Sequence, residues 1–151
     1  MAYLSGEDKK PLDGCIFCAK LAAGDDAREH IVCRGRLVYV TLNRFPYNNG
    51  HLMIVPNAHV PSFEQLDEAG LAEVMQLLNH SLAALRKEFR PDGFNVGANV
   101  GAVAGAGVAD HVHLHVVPRW AGDTNFMPVL GDTRVIPELL DQTYERLKRA
   151  W

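Results

Sequence analysis

The residues best placed to do chemistry lie in His111-Val112-His113-Leu114-His115, which runs on into Val116, Val117 and Pro118. Strict alternation over such a segment is the pattern of a β-strand, whose side chains point to opposite faces in turn. His111, His113 and His115 then share one face, while Val112, Leu114 and Val116 face the other and can enter a core. Three readings suit three imidazoles in a row. They are satisfied surface histidines, or they share a zinc ion with one position left open, or they catalyse covalently. In the last case one neutral ring attacks an electrophile while a neighbour handles a proton.

The segment before the triad helps to choose. Asn99 to Gly107 is a glycine- and alanine-rich loop, with Gly101, Gly105 and Gly107 in it and Gly97 just ahead. Glycines open backbone conformations closed to other residues and let a ligand approach closely. Successive N–H groups in such a loop can cradle phosphate oxygens. The loop lacks the Gly-Lys-Ser/Thr ending of a nucleotide-binding P-loop, so a site with bound magnesium is not supported. Anion-binding amides running into three same-face histidines favour covalent chemistry at phosphorus.

A second cluster is Cys15-Ile16-Phe17-Cys18, whose spacing can supply two thiolates to one zinc ion. A redox pair and two buried thiols remain open on spacing alone. Cys33, inside an apolar segment, reads as a buried thiol. Three cysteines, an odd number, fit a reducing compartment better than a disulfide framework.

The elements that must position these groups are legible in outline. A helical turn follows the cysteines and stops near Gly24. Ile31 to Cys33 and Leu37 to Leu42, with Arg34-Gly35-Arg36 between, read as a hairpin. Asn43 to Gly50 is turn-rich, and His51 to Val55 is a strand closed by Pro56. Ser62 and Gln65 have capping-box spacing ahead of a helix. Leu71, Val74, Leu78, Leu82, Leu85 and Phe89 form its apolar stripe, ended by Pro91-Asp92-Gly93. Phe94 to Ala98 and His111 to Val117 are further strands, the second closed by Pro118. Pro137 suits a first helical position, and Ile136, Leu140, Tyr144, Leu147 and Trp151 recur at helical spacing behind it. Strands that follow one another mostly without crossover helices predict an α+β fold, an antiparallel sheet with helices packed against it. Residues 1–14 read as a loose lead-in and 15–151 as a single domain.

Bulk properties exclude several classes. The 151 residues are 48% hydrophobic and 22% charged, as in an ordinary globular protein. A net charge of −3 gives no broad electrostatic footprint for nucleic acid. No apolar run approaches the ~20 residues of a membrane span, and the start lacks a signal-peptide core. A cytoplasmic protein is the expectation.

The triad His111-Val112-His113-Leu114-His115-Val116-Val117 resembles the His-φ-His-φ-His-φ-φ motif of the histidine triad superfamily. The likeness runs from Cys15 to about Phe126, through Leu42-Asn43, Gly50 to Pro56, Gly93 to Gly97 and Pro118-Arg119-Trp120. It is greatest to the branch of Fhit-like dinucleoside polyphosphate hydrolases and bacterial diadenosine tetraphosphate phosphorylases. The resemblance implies that His113 is the nucleophile on the α-phosphorus of an adenine nucleotide, with His115 and His111 beside it in the catalytic set. Hydrolysis or phosphorolysis of the nucleotidyl-histidine would follow, without a catalytic metal. It implies nucleotide contacts from Asn43, His51, Asn99, Gly105, Ala106, Gly107, His113 and His115. It also implies a structural zinc on Cys15, Cys18, His59 and His111, and a homodimer that extends the sheet through the 94–98 strand and the 71–89 helix. Within the family an adenosine phosphoramidase is the alternative; outside it, a nucleotide-binding regulatory module with slow turnover. One departure stands out. Ala106-Gly107-Val108-Ala109-Asp110 carries no hydroxyl where many relatives have Gln-Ser or Gln-Thr, so backbone amides would stand in at the leaving group. Arg119, Trp120, Asp123 and Asn125 would shape that side of the site.

Overall fold

The computed structural model describes residues 14–124, 130 and 138–151. Expectations for residues 1–13, Asn125, Phe126, Ile136 and Pro137 lie outside them. Helix α1 (Ile16–Ala22) leads into β1 (Ile31–Arg34), β2 (Val38–Leu42) and β3 (Leu52–Pro56). The long α2 (Glu68–Phe89) precedes β4 (Gly93–Gly97) and β5 (Leu114–Arg119), and α3 (Leu140–Ala150) follows. The five strands form one antiparallel sheet in the order β1-β2-β3-β5-β4. The expected α+β class is the observed one.

Period-two alternation sorts the strand residues between two apolar layers. Val38, Val40, Leu42, Leu52, Ile54 and Val116 meet Val74, Leu78 and Leu85 of α2 and Tyr144 and Leu147 of α3. Tyr39, Met53 and Val55 face the other way and pack with Ile31 under Phe17 of α1, with Val108 against them. His115 lies opposite Met53 in the β3–β5 register, which puts its ring on this second, α1-covered side. Arg146 ties α3 to its surroundings by ion pairs to Glu88 of α2 and Glu138, 2.9 and 2.7 Å long.

Five details differ from the sequence expectations. Ser62 caps a separate 3-10 turn, Phe63–Gln65; Asp67 caps α2, accepting from the Gly70 N–H at 2.7 Å. Leu71, in the first turn of α2, is exposed; within the stripe, burial starts at Val74. The ladder of β5 begins at Leu114, so His111 and His113 lie on the approach to the strand, held by the Val112 N–H on the Val60 carbonyl at 2.8 Å. Pro118 sits inside β5. It is tolerated there because β3 pairs no further than Val116, and the Pro118 carbonyl on that side accepts instead from the Asn48 side chain at 3.1 Å. Cys33 is half-buried among the edges of the first core, and burial pushes its thiol up.

Gly50 has φ +76°, and a Cβ there would come within 2.9 Å of Leu85 Cδ2, so both backbone and packing call for glycine just before His51. No helix among the described residues is long and apolar enough to cross a membrane.

Candidate active site

The hydrogen bonds of the histidines settle where their protons sit. A carbonyl oxygen can only accept, so each ring nitrogen against one must be an N–H. His111 Nε2–H donates to the Pro56 carbonyl at 2.8 Å, and His113 Nδ1–H donates to the His111 carbonyl at 2.9 Å. A backbone amide can only donate, so His51 Nδ1, 3.0 Å from the Tyr47 N–H, is an acceptor. His51 Nε2 then carries the proton and donates to His115 Nδ1 at 2.9 Å. Two consequences follow for the neutral rings. His113 presents a lone pair at Nε2, and His115 presents an N–H at Nε2. Their ring centroids are 4.8 Å apart. A lone pair and a hydrogen-bond donor side by side are what attack on phosphorus and charge relief at a departing oxygen require.

Burial keeps the rings neutral. It pulls His113 and His111 down from the usual histidine range, His115 down to about 4 and His51 down to about 3, the neighbouring imidazoles adding repulsion in the last two. The folded protein thus refuses protons that the unfolded chain takes up below about pH 6.5. The resulting stability is complete above that pH and is lost as pH falls toward 4. Each of His51 and His115 contributes a slope of up to about 1.4 kcal/mol per pH unit. Urea unfolding free energies should therefore drop by roughly 1–3 kcal/mol between pH 6 and pH 5, and His51→Gln should flatten the drop. Unfolding energies level over that range would contradict the buried, neutral assignment.

His111 has no ring nitrogen left over. Its Nδ1 lies 3.3 Å from Cys15 Sγ, 3.6 Å from Cys18 Sγ and 3.3 Å from His59 Nδ1, while Cys18 Sγ is 3.5 Å from His59 Nδ1. All four atoms lie within 4.8 Å of one another. Tetrahedral bonds of the usual Zn–N and Zn–S lengths put ligand atoms about 3.4–3.6 Å apart for these pair types. The donor set fits one ion, and the Nε2–H to the Pro56 carbonyl is the outer-shell bond a metal-bound imidazole ordinarily makes. Burial, then the adjacent Cys15 sulfur, pushes the Cys18 thiol up; two neighbouring thiolates want a cation between them.

Sequence reasoning missed Phe17. It sits between the two cysteines, and its ring meets His111 at 5.4 Å and His113 at 4.7 Å between centroids. The C-x-x-C knuckle thereby packs directly on the central imidazole. Tyr47 was also unremarked; its ring lies 4.7 Å from His51 and 5.9 Å from His115.

The remaining sequence-predicted residues are placed as follows. Asn43 follows β2, buried, with its Oδ1 accepting from the Phe45 N–H at 3.0 Å in a local turn and its Nδ2 lying 3.5 Å from His51 Nδ1. Asn99 donates to the Gly105 carbonyl at 3.2 Å, closing the glycine loop on itself. The Gly105 and Ala106 amides point back to the Ala102 and Gly101 carbonyls, at 3.0 and 3.4 Å. Gly107, just before the triad, is exposed, and its N–H makes no backbone hydrogen bond among the described residues. Arg119 and Asp123 bond each other, 2.7 Å for each of two contacts.

Three alternating histidines that run into a sheet strand, the last of them within β5, with a neutral central ring, are the arrangement of a histidine triad protein. The HIT domain family model matches residues 25–122, and the chain belongs to that family. It is 46% identical over 121 residues to AP-4-A phosphorylase of Mycobacterium tuberculosis, which covers 80% of this chain but only 62% of that protein. An uncharacterised HIT-like protein of Methanocaldococcus jannaschii is 34% identical, over 89% of this chain and 98% of its own length. Among solved structures, a zinc-bound histidine triad family protein from Mycobacterium smegmatis superposes with a TM-score of 0.73, at 25% identity, covering 91% of this chain and 93% of that one.

Proposed function

We propose that this chain cleaves dinucleoside polyphosphates through a nucleotidyl-histidine intermediate on His113. The observation that carries the reading is the His113 Nδ1–H donated to the His111 carbonyl, which leaves Nε2 as an unprotonated nucleophile. Nε2 attacks the α-phosphorus and forms an N–P bond. The P–O bond to the polyphosphate breaks with its electron pair on the leaving oxygen, whose new charge the His115 Nε2–H meets by a hydrogen bond. His113 keeps its Nδ1 proton, now on an imidazolium that the His111 carbonyl stabilises. An incoming oxygen nucleophile then attacks the same phosphorus, and His113 departs with its electron pair. This divides one difficult displacement into two easier ones. The Gly107 amide is the loop's donor to the phosphate, in the place of the hydroxyl found in many relatives, and Asn43 lies toward the ribose.

Similarity to AP-4-A phosphorylase favours inorganic phosphate as the second nucleophile and adenine as a base. Cys15, Cys18, His59 and His111 would hold a zinc ion, and four protein ligands would make its contribution structural. The exposed edge of β4, with Val96 outward, and Leu71 and Met75 of α2 suit pairing with a second copy.

Incubation with diadenosine tetraphosphate, with and without phosphate, tests the reading. Formation of ADP plus ATP that depends on phosphate supports phosphorolysis. AMP plus ATP would assign hydrolysis instead, and cleavage confined to an adenosine phosphoramidate would overturn the substrate class.

A further inference from the structure

We propose that Asp123 is a positioning residue for the triad, acting from outside the site through Asn48 to fix which nitrogens of His51 and His115 carry protons. The inference rests on the role given above to the His115 N–H. The two tautomers of a neutral imidazole differ little in energy, so its neighbours decide between them. For His51 the nearest deciding neighbour is the Tyr47 N–H on a turn-rich loop, 3.0 Å from Nδ1, with the Asn43 amide beside it at 3.5 Å. That loop is held by the Asn43 N–H on the His51 carbonyl and the His51 N–H on the Asn48 carbonyl, at 2.9 and 3.2 Å. Beyond the β3 edge the loop is anchored by the Asn48 amide, which donates to Asp123 Oδ2 at 2.7 Å and to the Pro118 carbonyl at 3.1 Å.

Asp123 is well placed to serve as that anchor. Its side chain is 9% exposed, and it accepts two parallel bonds from Arg119 and one from the Trp120 N–H at 3.1 Å. Arg119 reaches on to Asn95 Oδ1 of β4 at 2.6 Å, so the carboxylate is referred to the sheet on both sides. The Arg119 guanidinium holds the carboxyl well below the usual carboxylate range, which keeps it an acceptor at any working pH. With this anchor gone, the Tyr47 N–H can draw back from His51 Nδ1 and leave the longer Asn43 contact there, and a His51 that takes its proton on Nδ1 turns Nε2 into an acceptor. His115 must then place its own proton on Nδ1 to meet it. That exchange replaces the donor aimed at the leaving oxygen by a lone pair.

Long-range 1H–15N correlation of the imidazoles reads the tautomers directly, without substrate. In the wild-type protein His51 and His115 should both be Nε2–H. In Asn48→Ala and in Asp123→Ala both should move to a mixture or reverse, and kcat for diadenosine tetraphosphate should fall roughly 10- to 100-fold, the usual size of an outer-shell effect, with KM little changed. Asn48→Gln, which keeps the amide donor, should restore part of the loss. Asn48→Ala leaves the Arg119–Asp123 pair intact, so a folding failure of the Asp123 variant does not remove the test. Wild-type tautomers in a folded Asn48→Ala protein would overturn the proposal. A wild-type protein inert toward the nucleotide would overturn the proposed function alone, since the tautomer result stands apart from turnover.

Discussion

Replacing His113 with asparagine should lower turnover by about four to six orders of magnitude, the range seen when a covalent nucleophile is removed, while nucleotide binding survives. Asparagine retains an N–H able to reach the His111 carbonyl, which now accepts from His113 Nδ1 at 2.9 Å. It offers no basic lone pair in the place of Nε2. The surroundings should tolerate the change, because Val112 and Val116 hold the segment into the core from the opposite side. Calorimetric binding of a non-hydrolysable nucleotide, set beside single-turnover rates, separates the two effects. Loss of binding in proportion to rate would assign His113 to recognition and not to bond making.

Removing the metal should act on stability before chemistry. Helix α1 is only 7 residues long, too short to persist without tertiary support. Its attachments at the cysteines are to His59 and to His111, the residue whose carbonyl orients His113. A ligand present at a thousand times its dissociation constant contributes about 4 kcal/mol, or about 10 °C in Tm for a domain of this size. A strong chelator, or Cys15→Ala, should therefore lower Tm by about that amount. Turnover should fall as Phe17 loosens from the His113 ring, and should return with zinc in the chelated wild-type protein only. Metal analysis and thermal scans check both. Turnover abolished by chelation with Tm unmoved would favour a metal held by the catalytic histidines.

How much of this was legible beforehand depended on how local the cause was. Alternation at 111–115 and the Cys15/Cys18 spacing are properties of adjacent residues, and they pointed to the two clusters that the fold brings together through His111. The β-branched and aromatic run of β2 and the apolar run of β3, each bounded by turn residues, likewise foretold strands of the sheet. Ser62 misled because its cap geometry is real but belongs to a separate short turn, and only Asp67 stands at the start of α2. Pro118 misled because a proline's place in a sheet depends on how far the neighbouring strand pairs. The proton positions were out of reach, since they depend on the Pro56 and His111 carbonyls and the Tyr47 amide, backbone groups that carry no sequence signal. Asn48 and Asp123 are 75 positions apart; Asn48 alone reads as a turn residue and Asp123 as a residue on the leaving-group side, so nothing in the sequence joins them.

The most direct test of the account is to mix the protein with a dinucleoside polyphosphate in the absence of phosphate, quench in base, where N–P bonds endure, and map the adduct by mass spectrometry. A nucleoside monophosphate on the peptide bearing His113, absent from His113→Asn and discharged when phosphate is added, is the predicted result. A label on any other residue, or active turnover that never passes through a labelled protein, would contradict it.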